Sequence, residues 1–171
     1  MLVGVMADSH DHLDRLKLAV QQLRDRKIEL LLHAGDFIAP FTVPILHEVG
    51  CPIRAVFGNN DGEKVGLHNR FAALGHQVQE RPWEYHHHGH RFLLLHEPAA
   101  LDTFTGCSQY DLVVYGHTHH LEVRQPDQGA LLLNPGEVCG WLTQKPTCAV
   151  VDLARRHIEI LNLEPCSPVS S

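Results

Sequence analysis

Short apolar runs alternate with segments of helical periodicity in the first third of the chain. Leu2 to Ala7, Ile28 to His33 and Ile53 to Phe57 lack a helical period and are typical of buried strands. Between the first two strands, leucine and valine recur at helical spacing up to about Arg26, which predicts a helix. Thr42 to Val49 predicts a shorter helix. Parallel neighbouring strands need crossover connections of this kind. The alternation therefore predicts an α/β fold, with ligands expected at the carboxyl ends of the strands.

The rest of the chain predicts a helix around Glu63 to Leu74 and then mostly strands. Two β-rich stretches between Val78 and His96 flank a histidine-rich turn, which predicts a hairpin. A helix is predicted from about Ala99, followed by a strand at Leu112 to Tyr115. Four further strands are expected to form a second, mainly antiparallel sheet: Leu121 to Arg124, Ala130 to Leu133, Cys148 to Leu153 and His157 to Leu163.

The length of 171 residues fits one domain, which we place at residues 1–164, with residues 165–171 predicted to be a flexible tail. Hydrophobic residues make up 44% of the chain and charged residues 20%, the balance of a globular protein. No apolar run reaches the ~20 residues that span a bilayer, and no leader pattern precedes the first strand. These features predict a cytoplasmic protein that does not contact membranes.

Charge and cysteine content exclude further classes. The formal net charge of −6 argues against binding to long nucleic acid, which requires a surplus of lysine and arginine, while small phosphorylated substrates stay possible. Five cysteines without a C-x-x-C pair indicate neither a disulfide framework nor a thiolate zinc site. A reducing compartment fits this pattern best.

Metal-ligand residues follow several of the predicted strands directly. Asp8 and His10 lie in the turn after the first strand, where both side chains can reach one cation, although a helix cap and a surface histidine explain them equally well. Asp36 follows Gly35 after the second strand and is either a turn residue or a carboxylate that bridges two cations about 3.5 to 4 Å apart.

Three more segments belong to the same pattern. Gly58 to Asp61, which contains Asn59, follows the third strand but also fits an ordinary tight turn. His96 ends another strand and is either a ligand or a core histidine. His117 and His119 flank one residue after a further strand, and metal binding is the preferred explanation for that pair. The histidines between His86 and His90 have no carboxylates nearby in the sequence and are interpreted as a solvated turn.

The ordered set of these motifs resembles the calcineurin-like metallophosphoesterase superfamily. The similarity covers residues 8 to 119, and the short chain with Asn134-Pro135-Gly136 is similar to small phosphodiesterases of the YfcE type. This resemblance implies an αββα sandwich of two packed mixed β-sheets flanked by helices. It also implies one metal held by Asp8, His10, Asp36 and His119, and a second held by Asp36, Asn59, His96 and His117.

Catalytic roles follow from the same resemblance, with three departures from the family pattern. Asp36, Asn59 and His96 are the implied catalytic residues, and Asn60 is predicted to contact substrate. Asn60 stands where related phosphatases have a histidine acid, so no imidazole is available there to protonate the leaving group. Glu97 replaces a usual glycine and Glu137 a frequent serine, and both are expected to add negative charge near the substrate entrance.

The predicted activity is hydrolysis of phosphodiesters by a hydroxide that bridges two metal ions. The mixed oxygen and nitrogen ligands favour Mn²⁺, with Fe, Ni²⁺, Co²⁺ and Zn²⁺ as alternatives, over Ca²⁺. The alternative is a protein-interaction scaffold of the same fold, similar to a subunit of retromer, with little or no catalysis. A nuclease is disfavoured because only 52 residues follow His119. A homo-oligomer stays possible, and the natural substrate is not indicated.

Overall fold

The computed structural model describes residues 1–101 and 109–164. Residues 165–171, predicted to be a tail, lie outside these ranges, as does most of the helix predicted from about Ala99. A 3₁₀ turn at Pro98–Ala100 marks the point where that helix is expected to begin. The prediction of a single domain with a boundary at residue 164 stays a prediction. Among the described residues, no helix has both the length and the apolar character needed to cross a membrane.

Three α-helices and eleven strands occupy the described residues, with a 3₁₀ turn at Pro40–Thr42 before the second helix. The helices are α1 (Leu13–Asp25), α2 (Val43–His47) and α3 (Lys64–Ala73). The first six strands are β1 (Leu2–Met6), β2 (Leu30–His33), β3 (Ile53–Val56), β4 (Gln77–Gln79), β5 (Trp83–His87) and β6 (His90–Leu94). The others are β7 (Leu112–Val114), β8 (Leu121–Arg124), β9 (Leu131–Pro135), β10 (Thr147–Asp152) and β11 (His157–Asn162).

The strands form two sheets, each with parallel and antiparallel neighbours. The first has the order β11-β10-β1-β2-β3-β4, with β1 to β3 parallel as predicted and β4 added in parallel beside β3. The second has the order β5-β6-β7-β9-β8, in which β6, β7 and β9 are parallel. The predicted hairpin is confirmed, because β5 pairs antiparallel with β6 from Trp83↔Leu94 to His87↔His90. The α/β fold with two mixed sheets is therefore confirmed.

The expectation that the last four strands form one antiparallel sheet is wrong. β8 and β9 join the second sheet, whereas β10 pairs antiparallel with β1 and carries β11 with it. The free edge of β1 explains this pairing, since Val3 and Val5 are fully buried and their backbone groups need hydrogen-bond partners away from water. β10 suits that position because Cys148 to Val151 are all buried.

Two apolar layers hold the sheets and helices together. Alternate residues of the facing sheets form the central layer, including Val5 and Leu32 on one side and Phe92 and Val114 on the other. The opposite face of the first sheet packs against the apolar sides of α1, α2 and α3, which contribute residues such as Leu16, Leu46 and Phe71. The outer face of the second sheet buries Leu93, Tyr115 and Leu101 in a smaller cluster.

Candidate metal centre

The carboxyl ends of five parallel strands bring most of the predicted ligands to one edge of the sandwich. Asp8, Asp36 and Asn59 follow β1, β2 and β3, and His96 and His117 follow β6 and β7. Because parallel strands end on the same side, residues more than a hundred positions apart become neighbours. The backbone N–H of His117 donates to Asp8 Oδ2 at 3.0 Å, which joins the two sheets across this edge.

The backbone at this edge has an unusual conformation. Five of the seven predicted ligands have a positive φ: Asp8 (53°), His10 (40°), Asp36 (61°), His117 (68°) and His119 (61°). The left-handed region is uncommon for residues other than glycine and costs about 1–3 kcal/mol at each strained position, and it concentrates at functional sites. Backbone hydrogen bonds hold the loops in place, among them Asp8 N–H to Gly35 O and His10 N–H to Asp36 O.

One half of the centre contains Asp8, His10 and His119. His10 Nε2 lies 3.4 Å from Asp36 Oδ2 and 3.9 Å from Asp8 Oδ1, and His119 Nε2 is also 3.9 Å from Asp8 Oδ1. The two imidazole rings stack with centroids 5.1 Å apart. His10 Nε2 is buried without a hydrogen-bond partner among the described residues. Such a nitrogen, aimed at carboxylates, fits a cation that completes its coordination.

The other half contains Asn59, His96 and His117. His96 Nδ1–H donates to the carbonyl of Ala34 at 2.7 Å, so its Nε2 carries a lone pair. That Nε2 lies 2.8 Å from Asn59 Oδ1 and 3.5 Å from Asp36 Oδ2, and both are acceptors. His117 Nδ1 is 2.8 Å from the same Asn59 oxygen. Acceptors that face one another in this way are unfavourable unless a cation lies between them.

Asp36 is the carboxylate between the two halves. Its Oδ2 is within 3.5 Å of both His10 Nε2 and His96 Nε2. Asn60 donates to Asp36 twice, from its backbone N–H to Oδ1 at 2.9 Å and from its side-chain amide to Oδ2 at 2.8 Å. Gly58 leaves room for this arrangement, because a Cβ there would lie 2.0 Å from Asp36 Oδ1. The arrangement is suited to a carboxylate that binds two cations.

Among the described residues, no lysine or arginine forms a direct ion pair with Asp8 or Asp36. Their ion pairs are all with histidines, which need not be charged. Burial, together with the nearby Asp36 and Glu137 carboxylates, raises the pKa of Asp8 to about 8. Burial likewise lowers the pKa of His10 and of His96, so neutral rings are favoured. Neutral imidazoles are the form in which histidine binds divalent metals, whereas the Asp8 carboxyl group must lose its proton when a metal binds.

Glu137 is a residue whose position the sequence did not reveal. Its side chain is fully buried, and Oε2 accepts a hydrogen bond from His119 Nδ1–H at 2.7 Å. Oε1 accepts from the backbone N–H and hydroxyl of Thr143 at 2.6 and 2.7 Å. Burial alone would raise the pKa of Glu137, but the bonds from His119 and Thr143 hold it at about 2. The expectation that Glu137 adds negative charge at the substrate entrance is wrong, because its carboxylate is buried and accepts hydrogen bonds from His119 and Thr143.

Glu97 also differs from its expected role. Its carboxylate forms a two-point ion pair with Arg81, whose Nε lies 2.5 Å from Oε2. Burial would raise its pKa, but Arg81 keeps it below the usual range. The charge of Glu97 is therefore neutralised locally instead of adding to the negative potential at the entrance.

Asp61 and Cys139 complete the surroundings of the centre. Asp61 is buried and accepts backbone N–H bonds from Asp36, Ile38 and Gly58 at 2.7 to 3.0 Å, which locks the second and third loops together. A carboxylate three residues after a glycine turn is the one signal in the sequence for this role. Cys139 is a free thiol whose S–H donates to Glu137 at 3.1 Å, and burial raises its pKa.

Two overlapping groups of possible metal-binding atoms lie at this centre. Asp8, His10 and Asp36 each offer a ligand atom, and these atoms lie within 4.8 Å of one another. His10, His119 and Cys139 form a second, overlapping group. Cys139 was not among the predicted ligands, and its protonated thiol beside Glu137 makes it a neighbour of the centre. The residues present therefore fit divalent metal ions.

Comparison with known proteins places the chain in a family. Residues 1–156 match the calcineurin-like phosphoesterase superfamily domain. The chain belongs to this superfamily. It is 30% identical over 167 residues to a phosphodiesterase of Methanocaldococcus jannaschii, with 96% of this chain and 100% of that protein covered. As a calcineurin-like phosphoesterase, the protein is a hydrolase of the metallophosphoesterase class.

Solved structures of this superfamily share the fold. An archaeal phosphodiesterase superimposes with a TM-score of 0.88 at 30% identity, covering 95% of this chain and 99% of its own. The phosphoesterase YfcE of E. coli has a TM-score of 0.65 at 19% identity, covering 96% and 100%. The Vps29 protein of Entamoeba histolytica, solved with Zn²⁺, has a TM-score of 0.64 at 18% identity, covering 96% and 100%. At these low identities, YfcE and Vps29 are similar to the chain in fold alone.

Proposed function

We propose that the protein hydrolyses phosphodiester bonds with two divalent metal ions bound at the centre. The observation that carries the proposal is the position of Asp36, whose Oδ2 lies 3.4 Å from His10 Nε2 and 3.5 Å from His96 Nε2. A single carboxylate oxygen between two otherwise separate groups of ligands fits a bridge between two metals. The similar archaeal phosphodiesterase supports the choice of a diester as substrate.

The proposed first site uses Asp8, His10, Asp36 and His119, and the second uses Asp36, Asn59, His96 and His117. Mn²⁺ is the first choice for this mixed set of oxygen and nitrogen ligands, with Fe, Ni²⁺, Co²⁺ and Zn²⁺ as alternatives. When bound, such ions acidify water to supply the nucleophile and stabilise the charge that develops on the phosphoryl group. A cytoplasmic location and a homo-oligomeric state stay predictions.

The protein side chains orient the ligands and fix where protons reside. Ala34 O and Glu137 accept the Nδ1–H bonds of His96 and His119, so each ring directs its Nε2 lone pair inward. Asn60 holds both oxygens of Asp36, which limits the freedom of that carboxylate. Contact of Asn60 with substrate stays a prediction. In this structure its side-chain amide donates a hydrogen bond to Asp36.

The rate should depend strongly on how good the leaving group is. Asn60 occupies the place of the usual imidazole acid and cannot donate a proton to the departing oxygen, so that oxygen must leave as an anion or take a proton from water. For a series of substituted phenyl methyl phosphates, log kcat should fall steadily as the pKa of the phenol rises. A rate that is independent of the phenol pKa would contradict this proposal and reveal an acid elsewhere.

Removal of metal should abolish hydrolysis, and addition of metal should restore it. We expect EDTA-treated protein to be inactive on bis-p-nitrophenyl phosphate and to regain activity on titration with Mn²⁺, because Asp8 and Asp36 form ion pairs only with histidines in the described part of the chain. His117→Ala should need a higher Mn²⁺ concentration, since a ligand of the second site is lost. His120→Ala is the matched control, because His120 is an exposed neighbour.

The same assay distinguishes the enzyme from a scaffold of this fold. Residues that can bind metal occupy all seven predicted positions, which supports catalysis. The scaffold is the second candidate and rests on fold similarity to Vps29 alone. If wild type and His117→Ala both hydrolyse the substrate no faster than buffer alone, the scaffold function is favoured. Activity that is metal-dependent but equal in the two proteins would retain an enzyme and remove His117 from the site.

A further inference from the structure

Two large apolar side chains are exposed side by side near the metal centre. Trp141 is 63% exposed and Leu142 is 71% exposed, on the loop that follows Glu137. Single apolar residues at a surface need no explanation, but an exposed tryptophan followed directly by an exposed leucine offers apolar surface for a ligand. The metal centre as described does not use either side chain.

The backbone that carries these side chains is firmly held. Leu142 N–H donates to both oxygens of Glu137 at 3.1 and 3.2 Å, and Thr143 N–H donates to Oε1 at 2.6 Å. The same carboxylate accepts the hydrogen bond from His119. The loop backbone and a proposed metal ligand are therefore held by one buried group, which fixes the backbone at Leu142 relative to His119.

Trp141 also contacts the loop of the first proposed site. Its ring lies 5.2 Å from that of His12, centroid to centroid, and His12 is two residues from His10. The backbone N–H of Cys139, close to Trp141 in the chain, donates to the carbonyl of Asp8 at 3.1 Å. The apolar pair therefore borders the metal centre on the side of Asp8, His10 and His119.

We infer that Trp141 and Leu142 form a subsite for an aromatic substituent of the phosphodiester substrate. This inference rests on the proposed function and adds a substrate class: diesters with a flat aromatic group on one ester oxygen. The indole ring provides a stacking surface, and leucine extends the contact. A substrate group is the expected occupant because the pair is small, far below the area of about 800 Å² per partner in a stable protein interface, and is anchored to the metal centre.

Binding of two phosphonates tests the subsite without turnover. In a Trp83→Phe background Trp141 is the remaining tryptophan, since the chain has two, and it reports on its own surroundings. With Zn²⁺ bound, phenylphosphonate should shift the Trp141 emission and bind about 10-fold more tightly than methylphosphonate, as expected for stacking on one aromatic side chain. In Trp141→Ala, calorimetry should show equal affinities for both compounds, while Val123→Ala should keep the preference.

Each outcome has a distinct meaning for the two proposals. Equal affinities in the wild type, or a phenyl preference that survives in Trp141→Ala, would overturn the subsite and leave the metal centre intact. If neither phosphonate binds and the metal-loaded protein does not hydrolyse bis-p-nitrophenyl phosphate, the proposed function fails together with the subsite; hydrolysis without binding of phenylphosphonate overturns the subsite alone. Sedimentation provides a further check: if the wild type self-associates and Trp141→Ala is monomeric, the pair is a contact between copies of the chain and the inference is wrong.

Discussion

Asp36→Asn is expected to lower kcat for bis-p-nitrophenyl phosphate by about 1,000-fold. Loss of the bridging carboxylate weakens both proposed sites at once, and metal ions contribute several kcal/mol to stabilising the transition state, where about 1.4 kcal/mol corresponds to a factor of ten. Steady-state assays at saturating Mn²⁺ should give this result, with Asp152→Asn as a control on a partly exposed acidic residue at the end of β10. A variant with more than a tenth of the wild-type rate would exclude Asp36 as the bridge.

Thermal unfolding separates this effect from misfolding. Without metal, Asp36→Asn should unfold at a temperature close to that of the wild type, because it removes a charge that repels Asp8 but also leaves one Asn60 donor without its acceptor. Mn²⁺ at 100 times its dissociation constant should stabilise the wild type by about 2.7 kcal/mol, which raises Tm by about 5–10 °C for a chain of this size. The variant should show little of this increase. A variant that unfolds at much lower temperature without metal would point to a structural role.

The positions of most residues at the candidate metal centre were predictable because a local pattern marks them. A short apolar strand that ends in aspartate, asparagine or histidine places those side chains at the edge of a parallel sheet, and this rule needs no knowledge of distant contacts. Asp8, Asp36 and Asn59 follow it on consecutive strands of the first sheet. His96 and His117 follow it in the second sheet, and the structure brings both to Asn59.

Long-range strand pairing was not predictable in the same way. The apolar sequence of β10 is compatible with either sheet, and its choice depends on the free edge of β1, about 150 residues earlier in the chain. Local periodicity carries no information on that choice. The prediction therefore located β10 and β11 correctly along the chain and assigned them to the wrong sheet.

Glu137 shows the same limit at the level of one side chain. Its sequence context, after a proline and a glycine, is typical of an exposed turn, where a glutamate would face solvent. The structure instead buries it between His119 and the backbone of Leu142 and Thr143. Five donors converge on this carboxylate, four from residues 139–143 and one from His119, and this convergence becomes visible only after the fold is known.

Glu137→Ala is expected to weaken metal binding by about 10- to 100-fold, as is typical when a carboxylate behind a metal-binding histidine is removed. His119 would lose the acceptor that fixes its tautomer and ring orientation, so the free Nε2 would no longer be held toward Asp8. Calorimetric titration of the EDTA-treated protein with Zn²⁺ measures the change. Glu159→Gln is the control, because Glu159 is a partly exposed carboxylate paired with Arg26.

Glu137→Gln distinguishes positioning of the ligand from simple stabilisation of the loop. The glutamate uses Oε2 for His119 and Oε1 for Thr143, whereas glutamine has one acceptor oxygen and can satisfy one of these partners. If the amide oxygen faces His119, metal affinity should recover most of its wild-type value while Tm stays lowered, since a buried N–H without a partner costs about 1–3 kcal/mol. A metal affinity that is unchanged in both variants, with only Tm reduced, would restrict Glu137 to holding the loop.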